Sequence, residues 1–321
     1  MDVPAAVPKR MGHPSSTAYL PDRAHRLAPV SRRYAVICNP VAGGGRGSKR
    51  LPLAVAELER LGVEHRVVQT RDIDHARNEA RVAVAASETV IAIGGDGLLR
   101  PIAAELRGSE SALAIVPGGR GNDLARVLEI PTDTAAATRI AVEGREWLMD
   151  MATVDGEPYL GIASFGFDSE ANRIANDVRL VRGNIVYLYA AVRALIAWKP
   201  ARFMLTIDGK RHELTGFSAG VPNSRAYGGG MLVAPQAELD DGLLDVMALG
   251  DVSKLYFLFR LMPKIFKGTH LSDPGFHYWR GTSIEVAADR DFTIYADGDP
   301  IGQVPACVEV EPRCLRVIVP R

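Results

Sequence analysis

The stretch Ile93-Gly94-Gly95-Asp96-Gly97-Leu98 decides the fold of this chain. It follows the apolar run Val90-Ile91-Ala92 and precedes helix-compatible sequence that continues to Leu106. Glycine allows a tight turn and a close approach to a ligand, and the amide groups at the start of a helix attract phosphate. A carboxylate among those amides would repel phosphate unless a metal ion or a water lies between them. The stretch therefore predicts a nucleotide-phosphate site, although an ordinary strand-to-helix turn would also explain the glycines.

Strand-like and helix-like segments alternate on both sides of this turn. Buried strands are predicted at residues 34–38, 65–68, 90–93 and 113–116. Helices are predicted between them at residues 51–61, 73–86 and 98–106. Such alternation is typical of a parallel sheet covered by helices. We therefore expect an N-terminal parallel α/β domain over residues 31–150, preceded by a mobile tail rich in proline and arginine at residues 1–30.

Three loops rich in glycine follow strands of this predicted sheet. They cover residues 39–45, 94–97 and 117–123. Parallel sheets bind ligands beyond the carboxyl ends of their strands. Because these ends lie at one edge of the sheet, we expect the three loops to meet there and form a shared phosphate-binding site.

The sequence after Asp150 has a different character. Short β-prone runs dominate residues 151–321, and the pairs Asp155-Gly156 and Asp208-Gly209 are typical of hairpin turns. We expect a mainly antiparallel β-sandwich domain, whose last residues either stay in it or return to the first domain. Helix-compatible segments at residues 185–198 and 253–266 interrupt the pattern.

Composition narrows the classes of partner. The 38 lysines and arginines balance 38 aspartates and glutamates, which argues against a nucleic-acid partner held by bulk charge. Three cysteines form no disulfide framework and suggest a reducing compartment. The apolar segment at residues 185–198 is shorter than the about 20 residues that a membrane span needs. We expect a cytoplasmic protein, either soluble or peripheral at the inner membrane face.

Seven motifs in order carry a resemblance to a known family. They are Asn39-Pro40 with the glycines after it, Gly94-Gly95-Asp96-Gly97, Gly121-Asn122-Asp123-Leu124-Ala125-Arg126, Gly166-Phe167-Asp168, Tyr227-Gly228-Gly229-Gly230-Met231, Asp241-Gly242-Leu243-Leu244-Asp245 and Asp297-Gly298-Asp299. Together they resemble the diacylglycerol kinase catalytic family, which includes bacterial soluble lipid kinases, sphingosine kinases and ceramide kinase. The resemblance covers nearly the whole chain from about Arg33 to Arg321.

This resemblance implies a fold, a reaction and a set of residues. It implies a nucleotide-binding α/β domain and a β-sandwich domain with the active site in the cleft between them. The implied reaction transfers the γ-phosphate of ATP, with Mg²⁺, to a lipid hydroxyl at a membrane surface, most simply diacylglycerol to give phosphatidic acid. The implied base is Asp299, and the acidic network near the metal is Asp96, Asp123 and Asp150. The implied ATP-binding residues are Asn39, Pro40, Gly43, Gly44, Thr70, Gly94, Gly95, Asp96, Gly97, Arg120 and Gly121, and the implied structural metal loop is Asp241 with the backbone carbonyls of Glu238 and Leu243.

Five positions depart from the family pattern. Leu98 stands where threonine is usual, and Arg100 and Pro101 stand where Asn-Glu is common. Arg120 replaces a small hydroxyl residue, and Asp299 is an aspartate where glutamate is commoner. Both arginines are suited to phosphate oxygens, but solvated surface charge would explain them equally well.

Several alternatives stay open. The substrate could be a sphingoid, ceramide-type or other lipid alcohol, or the chain could be a catalytically weak nucleotide- or lipid-binding regulator. A nicotinamide-nucleotide kinase shares the Gly-Gly-Asp-Gly turn but would carry an Asn-Glu pair after it, and none follows here. Aromatic and basic residues at 254–267 suit a membrane surface. However, apolar positions almost all round that helix favour burial, and a homodimer stays open.

Overall fold

The computed structural model describes residues 33–177 and 193–321. The predicted tail at residues 1–30 and most of the predicted helix at 185–198 lie outside the described residues. The first domain contains the strands β1 (Tyr34–Cys38), β2 (His65–Gln69), β3 (Thr89–Gly94) and β4 (Ala112–Pro117). They pair in parallel in the order β2-β1-β3-β4. The helices between and after them are α1 (Ala42–Arg60), α2 (Ile73–Ala85), α3 (Asp96–Leu106), α4 (Asp123–Val127) and α5 (Thr134–Glu143).

Burial explains why these segments form a parallel sheet. Every residue of β1, β3 and β4 is buried, as expected for strands covered by helices on both faces. Side-chain caps fix two of the helix starts: Asp72 accepts from the amide of His75 before α2, and Asp133 accepts from the amide of Ala136 before α5. The predicted parallel α/β domain is confirmed.

The second domain is mainly antiparallel and carries its own apolar core. Its first half contains β5 (Arg145–Val154), β6 (Glu157–Tyr159), β7 (Ile162–Gly166), α6 (Phe167–Asp177), β8 (Ala201–Ile207) and β9 (Lys210–Pro222). Its second half contains β10 (Leu244–Gly250), β11 (Phe276–Gly281), β12 (Ser283–Ala288), β13 (Thr293–Ala296), β14 (Asp299–Gln303) and β15 (Ala306–Val319). The predicted β-sandwich class is confirmed, and the Asp155-Gly156 and Asp208-Gly209 turns join β5 to β6 and β8 to β9.

A helical segment, here called α7, lies between β10 and β11. It consists of an α-helical turn (Lys254–Tyr256), a π-helical turn (Phe257–Leu261) and a last α-helical part (Met262–Lys267). A short 3₁₀ turn (His270–Ser272) follows it. Phe257 on its inner side stacks on Phe217, with ring centroids 5.3 Å apart, which fixes α7 to the sandwich.

The last strand joins the two domains. The end of β15 pairs in parallel with β4 through Arg316 and Val317, and nearly all of β15 pairs with β5. Its first part pairs with β12 of the sandwich. One long strand thus runs from the second domain into the sheet of the first, with an irregularity between Glu311 and Leu315.

Candidate active site

The three glycine loops meet at the carboxyl edge of the parallel sheet. The amides of Gly118 and Gly119 donate to the carbonyl of Gly94 at 2.6 and 3.1 Å. A β-carbon on Gly95 would stand 2.8 Å from Cα of Gly119, and one on Gly43 would stand 2.5 Å from the carbonyl oxygen of Gly118. Only glycine permits backbones to approach this closely. The predicted convergence of the loops is therefore confirmed.

The remaining predicted nucleotide-binding residues line this edge in two ways. The side chain of Asn39 accepts from the amide of Val41 at 3.1 Å and braces its own loop, and the hydroxyl of Thr70 donates to the carbonyl of Cys38 at 3.3 Å and ties the end of β2 to the end of β1. The carbonyl of Pro40 accepts from the hydroxyl of Ser48 at 2.9 Å. The positions that border open surface are Gly44, Gly97 and Arg120, all of them exposed.

Two carboxylates converge beside these loops. A β-carbon on Gly121 would stand 3.1 Å from Oδ2 of Asp123 and 3.2 Å from Oδ2 of Asp96. The amide of Leu124 donates to Asp96 at 3.4 Å. Burial, together with the charge of Asp123, raises the pKa of Asp96. Two converging carboxylates with this repulsion fit a divalent cation, since oxygen ligands are what Mg²⁺ prefers.

A glycine loop of the second domain reaches this acidic pair. The amide of Gly229 donates to both oxygens of Asp123, at 3.1 and 2.8 Å. Arg126 pairs with the same carboxylate at 2.8 Å. Gly228, Gly229 and Gly230 all have positive φ, which brings the loop backbone to Asp123 without a side chain between them. Asp123 therefore links the two domains.

The predicted base, Asp299, lies across from the glycine loops at the start of β14. Its carboxylate is 3.8 Å from the guanidinium of Arg100 on α3, and its side chain is 46% exposed. Arg100 follows the Gly-Gly-Asp-Gly turn by three residues, so this contact brings the turn of the second domain to the helix that begins at Asp96. Asp299 therefore lies where the second domain meets the helix that follows the Gly-Gly-Asp-Gly turn.

Asp297 is a site residue that was quoted within a motif but given no role in the sequence analysis. Its carboxylate accepts three backbone amides, from Leu160 at 2.9 Å, Gly161 at 2.8 Å and Ile162 at 3.3 Å. Burial raises its pKa to about 6, and the charge of Asp96 adds to this rise. Asp297 holds the turn that presents Asp299. Sequence alone gave no signal for this role, because the three amides belong to residues that lie 135 to 137 positions earlier in the chain.

Asp150 lies with the predicted metal loop. Its buried carboxylate accepts the amides of Gly242 at 2.7 Å and Arg313 at 2.6 Å. Its own amide donates to the carbonyl of Leu239 at 2.6 Å. These contacts tie the 239–242 loop to β5 and to β15. They place Asp150 with this loop, whereas the sequence analysis grouped it with Asp96 and Asp123.

An arginine supplies positive charge within the predicted metal loop. Asp241 accepts the amide of Leu243 at 3.1 Å and binds Arg280 through its other oxygen. Arg280 also lies 3.6 Å from the buried Asp245, whose pKa burial raises to about 7. Both oxygens of Asp241 are thus engaged, one by a backbone amide and the other by an arginine. The predicted ligand Glu238 is exposed.

Across residues 33–177 and 193–321, no three His, Cys, Asp or Glu side chains are grouped closely enough to hold a metal by themselves. No helix within the same residues has the length and apolar character to cross a membrane.

Family models match both halves of the chain. The diacylglycerol kinase catalytic domain matches residues 33–154, and the YegS C-terminal NAD kinase beta sandwich-like domain matches residues 161–319. A diacylglycerol kinase of Mycobacterium tuberculosis (strain CDC 1551 / Oshkosh) is 33% identical, with 93% of this chain and 97% of the relative covered. This chain belongs to the diacylglycerol kinase family. It is therefore an enzyme, a lipid kinase that transfers a phosphoryl group to an alcohol, as the resemblance implied.

Two more comparisons agree. A protein of Pseudomonas aeruginosa (strain UCBPP-PA14) named "Probable lipid kinase YegS-like" is 31% identical, with 87% of this chain and 92% of that protein covered. A crystal structure of a diacylglycerol kinase from Bacillus anthracis str. Sterne has a TM-score of 0.72 at 20% identity, with 90% of this chain and 97% of that one covered. That structure supports the fold.

Proposed function

We propose that this lipid kinase uses ATP and Mg²⁺ to phosphorylate diacylglycerol, giving phosphatidic acid, at the cytoplasmic face of a membrane. The observation that carries the proposal is the position of Asp299 beside the helix that follows the glycine turn. Three glycine loops meet on one side, at the start of α3, and Asp299 stands on the other beside Arg100. Phosphoryl transfer needs positioning and charge neutralisation more than covalent chemistry, and this arrangement offers both.

Each side of the cleft has a role in the proposed mechanism. The loops around Gly43, Gly95 and Gly119 line the triphosphate, and backbone amides at the start of α3 donate to it. Asp96 and Asp123 would hold Mg²⁺, which neutralises charge on the phosphates when it is bound. Among the described residues, no third acidic side chain joins this pair.

Asp299 acts on the acceptor. Its exposed carboxylate accepts the proton of the lipid hydroxyl while the hydroxyl oxygen attacks the γ-phosphorus. The bond from the γ-phosphorus to the bridging oxygen breaks, and ADP leaves with that electron pair. Asp297 keeps the turn in place through its three amide contacts, so Asp299 can reach the hydroxyl despite a side chain one methylene shorter than glutamate.

The test combines substrate identification with one variant. The full chain is incubated with Mg²⁺, γ-labelled ATP and a total lipid extract, and the labelled product is identified. We expect labelled phosphatidic acid. A labelled sphingoid or ceramide phosphate would overturn the choice of diacylglycerol, and no labelled lipid would favour a regulator.

The variant Asp299→Ala tests the base. We expect at least a 100-fold loss of turnover, since general-base catalysis contributes about 10²–10⁴-fold. ATP binding should be unchanged, because Asp299 lies across the cleft from the loops. The matched control is Asp291→Ala, an exposed aspartate just before β13. Normal turnover of Asp299→Ala would show that the base is another group.

A further inference from the structure

The two faces of α7 have different environments. Phe257, Leu261 and Ile265 are spaced four residues apart on one face, and all three are buried in the core of the sandwich. The sequence analysis favoured burial of the whole helix because apolar residues occur nearly all round it. The structure confirms burial for this inner face alone.

The outer face of α7 remains apolar and exposed. Leu255 is 70% exposed, Phe259 67% and Phe266 54%, and Leu258 lies among them at 39%. Ile196, which is 74% exposed, lies beside the start of α7, because Lys254 donates to its carbonyl at 2.7 Å. We call these five residues the docking face. Exposed apolar clusters of this kind mark contact surfaces.

Positive charge surrounds the docking face. Residues 252–272 contain Lys254, Arg260, Lys264 and Lys267 and no aspartate or glutamate, in a chain whose net charge is zero. Arg260 and Lys267 are exposed, and Lys264 pairs with the buried Asp273 beneath α7. Exposed aromatic and aliphatic side chains with cations on the same short helix suit the interface of an anionic bilayer.

The docking face is connected to the candidate active site through the Tyr227–Met231 loop. The amide of Leu232 donates to the carbonyl of Ile265 on α7 at 3.2 Å. Three residues earlier, the amide of Gly229 donates to Asp123. A bilayer under α7 would therefore contact an element that packs directly on the loop reaching the acidic pair.

We propose that the docking face, Ile196, Leu255, Leu258, Phe259 and Phe266, binds the surface of an anionic lipid bilayer. The proposal rests on the proposed function, since it explains how a chain acting on a lipid would meet its substrate. Phe259 and Phe266 enter the acyl boundary, while Arg260 and Lys267 contact the acidic headgroups.

The test is flotation of the full chain with vesicles. One set contains equal parts phosphatidylglycerol and phosphatidylcholine, and the other contains phosphatidylcholine alone. We expect the wild type to float with the anionic set and Phe259→Ser/Phe266→Ser to bind it about 10-fold or more weakly. The matched control is Leu53→Ser/Val82→Ser, two exposed apolar residues on helices of the first domain, which should bind as the wild type does.

A second pair of variants tests the charge. Arg260→Ala/Lys267→Ala should lose about 10-fold in binding to the anionic vesicles. Lys49→Ala/Lys210→Ala, which removes two exposed lysines elsewhere, should lose little. Circular dichroism establishes that each variant is folded. If the double serine variant is not, Leu255→Ser replaces it, and if the double alanine variant is not, Lys267→Ala alone replaces it.

Three results would overturn the proposal. They are absence of wild-type binding to anionic vesicles, equal binding by the serine variant and its control, and a wild-type dimer that the serine variant makes monomeric with vesicle binding unchanged. Phosphorylation of a short-chain diacylglycerol dispersed in water is measured in parallel. If the wild type does not phosphorylate this diacylglycerol, the result counts against the proposed function. Vesicle binding alone decides whether the docking face is correctly assigned.

Discussion

Arg100 occupies a position where the family commonly has asparagine, and its surroundings suggest a reason for the change. The side chain is largely buried, lies 3.8 Å from Asp299 and belongs to the helix that begins at Asp96. Its charge also lowers the pKa of Asp297 against the effect of burial. One cation therefore acts on both carboxylates of the Asp297-Gly298-Asp299 turn.

We expect Arg100→Ala to lower the turnover number about 10-fold, which corresponds to about 1.4 kcal/mol of transition-state stabilisation. The reason is that Asp299 loses the cation that holds it towards the glycine loops. The control is Arg107→Ala at the end of the same helix, where the lost ion pair with Glu311 lies at 3.0 Å. Steady-state kinetics with ATP and diacylglycerol give the comparison. Equal rates for both variants would contradict this role.

The raised pKa of Asp297 predicts that both stability and activity depend on pH. Its pKa of about 6 lies above the ordinary unfolded value of about 3.9, so the folded chain binds this proton more tightly. Its contribution to stability is therefore greatest below about pH 4 and decreases as the pH rises towards 6. Activity should change in the opposite direction, because the ionised carboxylate accepts all three amides.

We expect the turnover number to rise with pH through about 6 and to level off above it. Asp297→Asn should lower the plateau and flatten this rise, since the amide cannot accept three N–H groups without opposing one. Asp208→Asn is the matched control, because Asp208 accepts the amides of Thr282 and Ser283 at another turn. A pH–rate profile of Asp297→Asn that matches the wild type would count against the assignment.

At the scale of elements, Asp150 joins three segments that are distant in sequence. It lies in β5 and binds the amides of Gly242 in the predicted metal loop and Arg313 at the irregularity of β15. A buried carboxylate that accepts two backbone amides is costly to alter, because a buried group left unsatisfied costs about 1–3 kcal/mol. These contacts favour a structural role.

We therefore expect Asp150→Asn to lower the free energy of unfolding by about 1–3 kcal/mol, while the molecules that remain folded keep their turnover number. Urea denaturation followed by fluorescence measures the first quantity, and kinetics normalised to folded protein measures the second. Asp74→Asn, an exposed aspartate on α2, should change stability by less than about 0.5 kcal/mol. A stable but inactive Asp150→Asn would support the catalytic role that the family resemblance implies.

Elements with continuous apolar runs could be predicted, and those defined by long-range pairing could not. β1 and β3 are buried on both faces, so their continuous apolar runs identify them in the sequence. β11 contains His277, Trp279 and Arg280, which are partly exposed, so no apolar alternation marks it. β14 begins at Asp299 itself and contains a proline, and only its pairing with β13 makes it a strand.

The contacts of the candidate site divide in the same way into those that local sequence predicts and those that depend on long-range pairing. The convergence of the glycine loops was predictable because parallel strands place their carboxyl ends together. The partner of Asp241 could not be predicted. It is Arg280, which lies in β11 and is brought to Asp241 by the antiparallel pairing of β11 with β10. The contact of Gly229 with Asp123 also depends on how the two domains pack, which sequence spacing does not encode.

At the scale of the whole molecule, the two domains are joined at three points around the candidate active site. β15 enters the first sheet beside β4, Gly229 binds Asp123, and Asp299 faces Arg100. A ligand held between the glycine loops and the turn of the second domain would contact both domains. Such a ligand should stabilise the chain as a unit, because unfolding of either domain would release it.

We expect ATP with Mg²⁺ at about 100 times its dissociation constant to add about 2.7 kcal/mol to the free energy of unfolding, a rise in melting temperature of about 5 °C. Addition of EDTA should remove most of this shift, since the converging carboxylates of Asp96 and Asp123 would then face the phosphates without a cation. Differential scanning fluorimetry with ATP, ADP and GTP gives the comparison. Asp96→Asn, with one charge fewer, should lose most of the EDTA sensitivity, whereas Asp74→Asn should keep it. If no nucleotide shifts the melting temperature of the wild type, the cleft is not a nucleotide site, and the roles proposed for the glycine loops fail with it.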